Sequence, residues 1–196
     1  LLGRMTPSGD VTEIIPAGVT FARSITSGAD GNIWFSGYES TDSGLVPLLG
    51  RLDPDTEAVT TFTTGLTALP VVLTPGPDGD VWFADQEGGL GTVAPDGTVT
   101  RFDLRTTPFL DEPLTFDGDG NLWTTARAVP ASTPGRLVRT TPAGVQTAFP
   151  VGGQQPVSVE VGTDGNLWFA DTRAVGRMTP AGVVTRFPND FVTGAR

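Results

Sequence analysis

Two strings that alternate along the chain, one of them opening on Asp-Gly, predict an all-β fold of stacked four-stranded antiparallel sheets, a β-propeller. The first string, DGNIWF at 30–35, returns as DGDVWF (78–83), DGNLWT (119–124) and DGNLWF (164–169). It carries all four tryptophans, Trp34, Trp82, Trp123 and Trp168, at spacings of 48, 41 and 45. The second, GRMTPSGDVTEI (3–14), returns as GRLDPDTEAVTTF (50–62), GTVAPDGTVTRF (91–102), VRTTPAGVQTAF (138–149) and GRMTPAGVVTRF (176–187). A period of this size, with two hairpins per unit, is that of propeller blades.

Each unit reads as four strands, a to d. Asp-Gly between apolar runs is a strong hairpin signal, because Gly accepts the positive φ of a tight primed turn. Strand a therefore precedes Asp30-Gly31, and strand b is the Trp-bearing segment after it. Pro followed by Gly or Asp turns strand c into strand d, and strand d alternates, as in Val99 and Arg101 against Thr100 and Phe102. One such sheet cannot bury both its faces, so neighbours must stack on it. The chain then divides into an N-terminal half blade at 1–15 (strands c and d) and blades at 22–62, 70–102, 111–149 and 156–187. Arg196 falls where a further strand a begins, so the expectation is an incomplete or open propeller able to self-associate through open blade edges. One Trp per blade at one strand position reads as inter-blade core rather than as a stacking platform for a ligand.

Composition narrows the function classes. The formal net charge is −10, and every one of the 12 basic residues is Arg; an acidic surface repels phosphate backbones, which argues against nucleic-acid binding. The absence of Lys reads as the coding bias of a GC-rich genome. With no Cys there is no thiolate nucleophile or disulfide framework, and the compartment stays open. No apolar run approaches a bilayer span, and LLGRMTPSGD lacks the layout of a secretory signal.

The combination G-x-D-G-N-x-W-F, then G-R-x-T-P-x-G-x-V-T-x-F, resembles the virginiamycin B lyase (streptogramin lyase) family, whose repeats are close to NHL-type propellers. The resemblance covers essentially the whole chain. It implies a bacterial antibiotic-resistance lyase that opens the ester of type B streptogramins by elimination, with Mg²⁺ and with His and Glu side chains on one face of the channel.

Residues eleven before and three after each Trp lie nearly equidistant from the a–b turn, so they should be near cross-strand neighbours at the far end of the hairpin, around the channel mouth. The first position holds Arg23, Val71, Glu112 and Val157; the second holds Gly37, Asp85, Ala126 and Asp171. The resemblance implies His at the first position and Glu at the second, but the chain contains no His. A base that titrates near neutrality is what an elimination needs, and His supplies it most readily. Asp85, Glu112 and Asp171 are the weak catalytic candidates and the candidate oxygen ligands for Mg²⁺ or Ca²⁺. Arg23 and Tyr38, the latter placed on a loop after strand b, join them as candidate contacts for a small molecule or peptide. The connections at 39–48, 107–112 and 126–135 offer room for specificity.

Three function classes follow: a ligand- or partner-binding scaffold, a Mg²⁺-dependent lyase whose histidines lie in other blades, and a carboxylate-metal lactonase-type hydrolase. Other motifs do not compete. The run Asp117-Gly-Asp119-Gly-Asn121 has Leu122 and Ala128 where a calcium loop needs Gly and Glu. Asp53-Pro-Asp55 reads as a turn in which Asp caps backbone amides. There is no phosphate loop, G-x-S-x-G elbow or H-E-x-x-H pair.

Overall fold

The structure, a computed structural model, describes residues 2–102, 114–126, 134–153 and 155–188. The chain forms two compact units, Leu1–Arg101 and Phe102–Arg196. In the first, β1 (Leu2–Met5) and β2 (Val11–Ile14) make a two-stranded hairpin. Then come β3 (Val19–Ser27), β4 (Ile33–Thr41), β5 (Gly44–Leu52) and β6 (Val59–Phe62), followed by β7 (Pro70–Pro75), β8 (Val81–Asp85), β9 (Leu90–Val93) and β10 (Val99–Phe102). The second unit holds β11 (Thr115–Phe116), β12 (Leu122–Ala126), β13 (Arg136–Thr140) and β14 (Gln146–Pro150), then β15 (Pro156–Val161), β16 (Leu167–Asp171), β17 (Ala174–Met178) and β18 (Val184–Pro188). Each set of four is one meandering sheet in chain order, the blade unit of an all-β propeller.

Both recurring turns are one device, and it is not the primed turn expected. Gly31 N–H donates to the Gly28 carbonyl (3.2 Å) and Gly28 N–H to the Asn32 carbonyl (2.8 Å), and only Gly31 has a positive φ, +80°. That is a type I turn closed by a G1 bulge; a type I′ turn would put Asp30 at positive φ as well. The c–d turns repeat it, with Gly9, Gly97, Gly144 and Gly182 in the bulge. Blade one is one residue longer here. Glu57, at φ 60°, takes the bulge position, and Asp53 accepts from the N–H groups of Asp55 and Thr56 at 2.9 and 3.0 Å, as the capping reading expects.

Trp34 and Trp123 pack between sheets. Trp34 joins Leu49 of its own blade to Leu73, Val81, Phe83 and Val93 of the next, and Trp123 joins Leu137 to Val159, Leu167 and Phe169. Trp34, Trp82 and Trp123 are 1–2% exposed, while Trp168 is half-buried. Each indole N–H is satisfied by a turn carboxylate: Trp34 donates to Asp30, Trp82 to Asp78 and Trp168 to Asp164. A Cβ at Gly28, Gly76 or Gly162 would collide with that ring and carboxylate. In blade three Asp117 occupies this Gly position and itself receives the Trp123 N–H at 2.7 Å. The same contact is made from a different residue.

Phe35, Phe83 and Phe169, each following its Trp, pack against the previous sheet, and their size is matched across the ladder. Phe35, Phe83 and Phe169 pair with Gly50, Gly91 and Gly176, where a Cβ would enter the ring. Blade three inverts the volumes, with Thr124 opposite Val138. Cores tolerate such exchanges when summed volume is kept.

Candidate functional site

The candidate region is the end of each sheet remote from the a–b turn. Here strand a begins and strand b ends in the β7–β8 and β15–β16 pairs, while β3–β4 runs on past it. In β3–β4 the register runs Ala22↔Gly37 and then Ile25↔Phe35, so Arg23 sits in a bulge beside Gly37. In β7–β8, Pro70 pairs with Asp85 and Val72 with Ala84, leaving Val71 as the extra residue; Val157 is the extra residue between Pro156↔Asp171 and Ser158↔Ala170. The expected neighbours therefore meet, offset by one residue because a β-bulge occurs at the same place in all three sheets. Arg23 and Val157 are exposed and Val71 is half-buried.

Asp85 and Asp171 are not open rim carboxylates, which corrects the expectation for both. Asp85 is fully buried. Its Oδ1 accepts from the N–H groups of Glu87 (3.0 Å) and Gly89 (2.7 Å), and Arg101 Nη2 of strand d donates to its Oδ2 at 2.5 Å. Asp171 repeats the arrangement: Arg173 N–H at 2.7 Å, Ala174 N–H at 2.8 Å, and Arg186 Nη2 on Oδ2. Its side chain is also buried. Burial pushes the Asp171 carboxyl up, but the hydrogen bond and charge of Arg186, with the two turn N–H groups, outweigh it, and it titrates below the ordinary carboxylate value. Each carboxylate pins the b–c turn and ties strand d to it.

Arg101 and Arg186 carry this site, and sequence reasoning missed them. The signal was present. Strand d ends TRF in the same two blades that have Asp three residues after the Trp; where that position is Gly37 or Ala126, strand d has Thr61 or Ala148. Arg186 Nη1 also donates to the Gly152 carbonyl (3.1 Å), fastening the incoming d–a connection.

Two other expectations are corrected. Tyr38 lies within β4, opposite Phe21 and Pro47, rather than on a loop. The stretch 39–48 is the continuation of a nine-residue hairpin paired out to Thr41↔Gly44. Directly opposite residues share a face, so Phe21, Tyr38 and Pro47 form a row across three strands, with Phe21 49% exposed. Glu112 and the connection 107–112 lie outside the described residues, as does most of 126–135.

A hard cation needs several free carboxylate or carbonyl lone pairs converging on one point. Asp85 and Asp171 spend theirs on Arg and on turn N–H groups, so they do not fit Mg²⁺ or Ca²⁺. Among the described residues no three carboxylates come together to hold a metal. The described residues also contain no helix long and apolar enough to cross a membrane.

Comparison with known proteins gives a consistent answer. The model of the virginiamycin B lyase family matches residues 1–130. Among solved structures, the virginiamycin B lyase from Staphylococcus aureus is similar at 24% identity and a TM-score of 0.72, with 96% of this chain and 62% of that one covered. A catalytically inactive histidine-to-alanine variant of that enzyme, solved with quinupristin, is similar at 24% identity and a TM-score of 0.76, covering 97% and 63%. A gluconolactonase from Xanthomonas campestris is similar at 16% identity and a TM-score of 0.58, covering 92% and 66%. The chain thus spans about three fifths of the length of the lyase structures. No curated protein matches it.

Proposed function

We propose that this chain, which belongs to the virginiamycin B lyase family, serves as a binding scaffold for a small molecule or peptide and performs no elimination with the residues it carries. The observation that supports this reading is the state of the two carboxylates. Each is buried against an Arg and two backbone N–H groups. A carboxylate so held has its lone pairs engaged by donors, and the sequence holds no His to stand beside it and take a proton near neutrality. Binding draws on other groups. Arg23 on its bulge offers a charge, and the row of Phe21, Tyr38 and Pro47 on the long hairpin of blade one offers apolar area with a phenol at its edge.

A second reading rests on family membership itself: a Mg²⁺-dependent lyase acting on type B streptogramins, its histidine supplied by residues outside these 196. The lactonase-type alternative loses ground, because the Asp85 and Asp171 carboxylates it would use are already committed.

The test is direct. The protein is incubated with quinupristin and Mg²⁺, and the cyclic and ring-opened forms are separated chromatographically. The scaffold reading expects only the cyclic form, with a saturable change in tryptophan fluorescence that weakens in Tyr38→Ala. Ring-opened product above the protein-free control overturns it.

A further inference from the structure

An Asp-Gly pair can close on itself. The Gly nitrogen attacks the side-chain carboxyl carbon of the Asp, the nitrogen's proton and the carboxyl's hydroxide leave together as water, and a cyclic succinimide remains. Gly has no Cβ to obstruct the approach. Water then opens the ring at either carbonyl, and one of the two products is isoaspartate, in which the main chain runs through the former side-chain carbon. No oxidant or other co-reactant is needed.

The sequence holds six such pairs, with Asp at 30, 78, 96, 117, 119 and 164. Five of these carboxylates are tied. Asp30 accepts from Asn32 N–H at 3.1 Å and from the Trp34 indole at 3.2 Å. Asp78 accepts from Asp80 N–H at 3.2 Å and Trp82 at 3.1 Å, and Asp164 from Asn166 N–H at 3.1 Å and Trp168 at 3.4 Å. Asp96 accepts from Thr98 N–H at 2.8 Å. Asp117 accepts from Asp119 N–H, Asn121 N–H and the Trp123 indole at 3.0, 2.9 and 2.7 Å. Each tie must break before the carboxyl can turn onto its own Gly nitrogen. Asn166 also holds the Asp164 carboxyl, and Thr98 the Asp96 carboxyl, below the ordinary value, so less of either is in the acid form that loses water.

Asp119 is the exception. It is exposed, and among the described residues no donor reaches its carboxylate; its own N–H is spent on Asp117. The cause lies in the local sequence. Blade three has Asp117 where the others have Gly28, Gly76 and Gly162, and Asp117 takes the indole and the Asn121 donors that Asp30 takes from Trp34 and Asn32 in its own turn. Exposure does not set Asp119 apart, since Asp30, Asp78, Asp96 and Asp164 are exposed as well. Nor does the attacking amide: Gly31, Gly79, Gly97, Gly120 and Gly165 all donate to the carbonyl three residues back.

We infer that Asp119-Gly120 is a modification site, the turn of this chain that converts to isoaspartate ahead of every other Asp-Gly pair. The added main-chain carbon enters the loop closed by Asp117 N–H to Asn121 and Gly120 N–H to Asp117, both 3.0 Å, and so lengthens the bulged a–b turn of blade three. The product exposes an isoaspartyl carboxylate, the acceptor chemistry of a carboxyl-methylating repair enzyme.

The test holds the full chain in mildly acidic buffer at physiological temperature and digests samples at intervals. Mass spectrometry with electron-transfer fragmentation tells isoaspartate from aspartate and position 117 from 119. Isoaspartate should accumulate at Asp119 several-fold faster than at any of the other five. Asp117→Gly gives blade three the Gly of its neighbours, returns the indole and Asn121 donors to Asp119, and should slow it to the rate at Asp164. In guanidinium, where no turn persists, the six rates should level out. A rate at Asp30 or Asp164 that matches Asp119 in the folded protein overturns the inference. A lead at Asp119 that persists undiminished in guanidinium does so too, because local sequence would then explain it without the turn. An Asp119 rate unchanged in Asp117→Gly, with folding confirmed by circular dichroism, also overturns it; if that variant unfolds, the folded and guanidinium measurements on the wild type decide.

Discussion

Replacing Arg101 by alanine leaves the Asp85 carboxylate buried with only its two turn N–H groups for company. Asp85 has no exposed surface, while the Arg101 side chain is 28% exposed. Removing one partner of a buried ion pair costs about 3–5 kcal/mol, because the other charge stays behind without compensation. The open edge of Arg101 lets some water follow, so the lower end, about 3 kcal/mol, is the expectation for Arg101→Ala. Asp85→Ala frees Arg101 to hydrate but strands the Glu87 and Gly89 N–H groups, which costs about 2 kcal/mol. The double variant loses both charges together and should cost about 2 kcal/mol less than the sum of the two. Urea unfolding of the four proteins at neutral pH, followed by tryptophan fluorescence, measures this coupling. A coupling below about 0.5 kcal/mol, the level of an exposed pair, would refute the claim that the pair holds the b–c turn.

Four further outcomes follow from the same geometry. Asp171 titrates below its ordinary value when folded. Its stabilisation is therefore in full force above the unfolded carboxylate value and lost as pH falls through the lowered folded one. Asp171→Asn should accordingly flatten the acid side of a melting-temperature profile, and an unchanged profile would count against the clamp. Asp80 is the opposite case. Burial and then the neighbouring Asp78 raise its carboxyl, at the place where the other three turns have Asn. A raised acid weakens the fold as pH rises through its folded value, so Asp80→Asn should stabilise by about 0.5–1 kcal/mol at neutral pH, after discounting for solvent, and by nothing in acid; equal melting gains at both pH values would contradict this. Trp82→Ala, removing an indole 2% exposed, should cost about 3–5 kcal/mol in urea unfolding. Thr124→Phe should destabilise by about 1–3 kcal/mol through overpacking against Val138, and adding Val138→Gly should recover much of that in a thermal melt.

Much of the fold was legible because each repeat states its strands twice, once in the Trp string and once in the turn string. The turn type was not, since Asp-Gly suits a primed turn and a G1 bulge alike, and the same bulge forms whether the residue two before the Asp is Gly28 or Asp117. Position along the strands placed residues 23, 71 and 157 at the ends of their partners, but counting cannot reveal an inserted bulge residue. The rim reading of Asp85 and Asp171 failed for a different reason. Their partners lie 16 and 15 residues away on strand d, so inspection of strands a and b alone showed carboxylates without their cations. Comparing TRF with TTF and TAF across blades exposes the pairing. Tyr38 was misplaced because Asp42-Ser43-Gly44 is a tight turn, and the polar residues before it are the exposed side of a long hairpin.

The central claim is that the two Asp side chains are spent on holding the blades and are not free for chemistry. Thermal melting in matched ionic strength, with Mg²⁺ or Ca²⁺ replacing an equivalent of Na⁺, tests it most directly. The account expects no difference between the salts for the wild type, Asp85→Asn and Asp171→Asn proteins. A saturable stabilisation by either divalent ion that disappears in one of the two variants would contradict it.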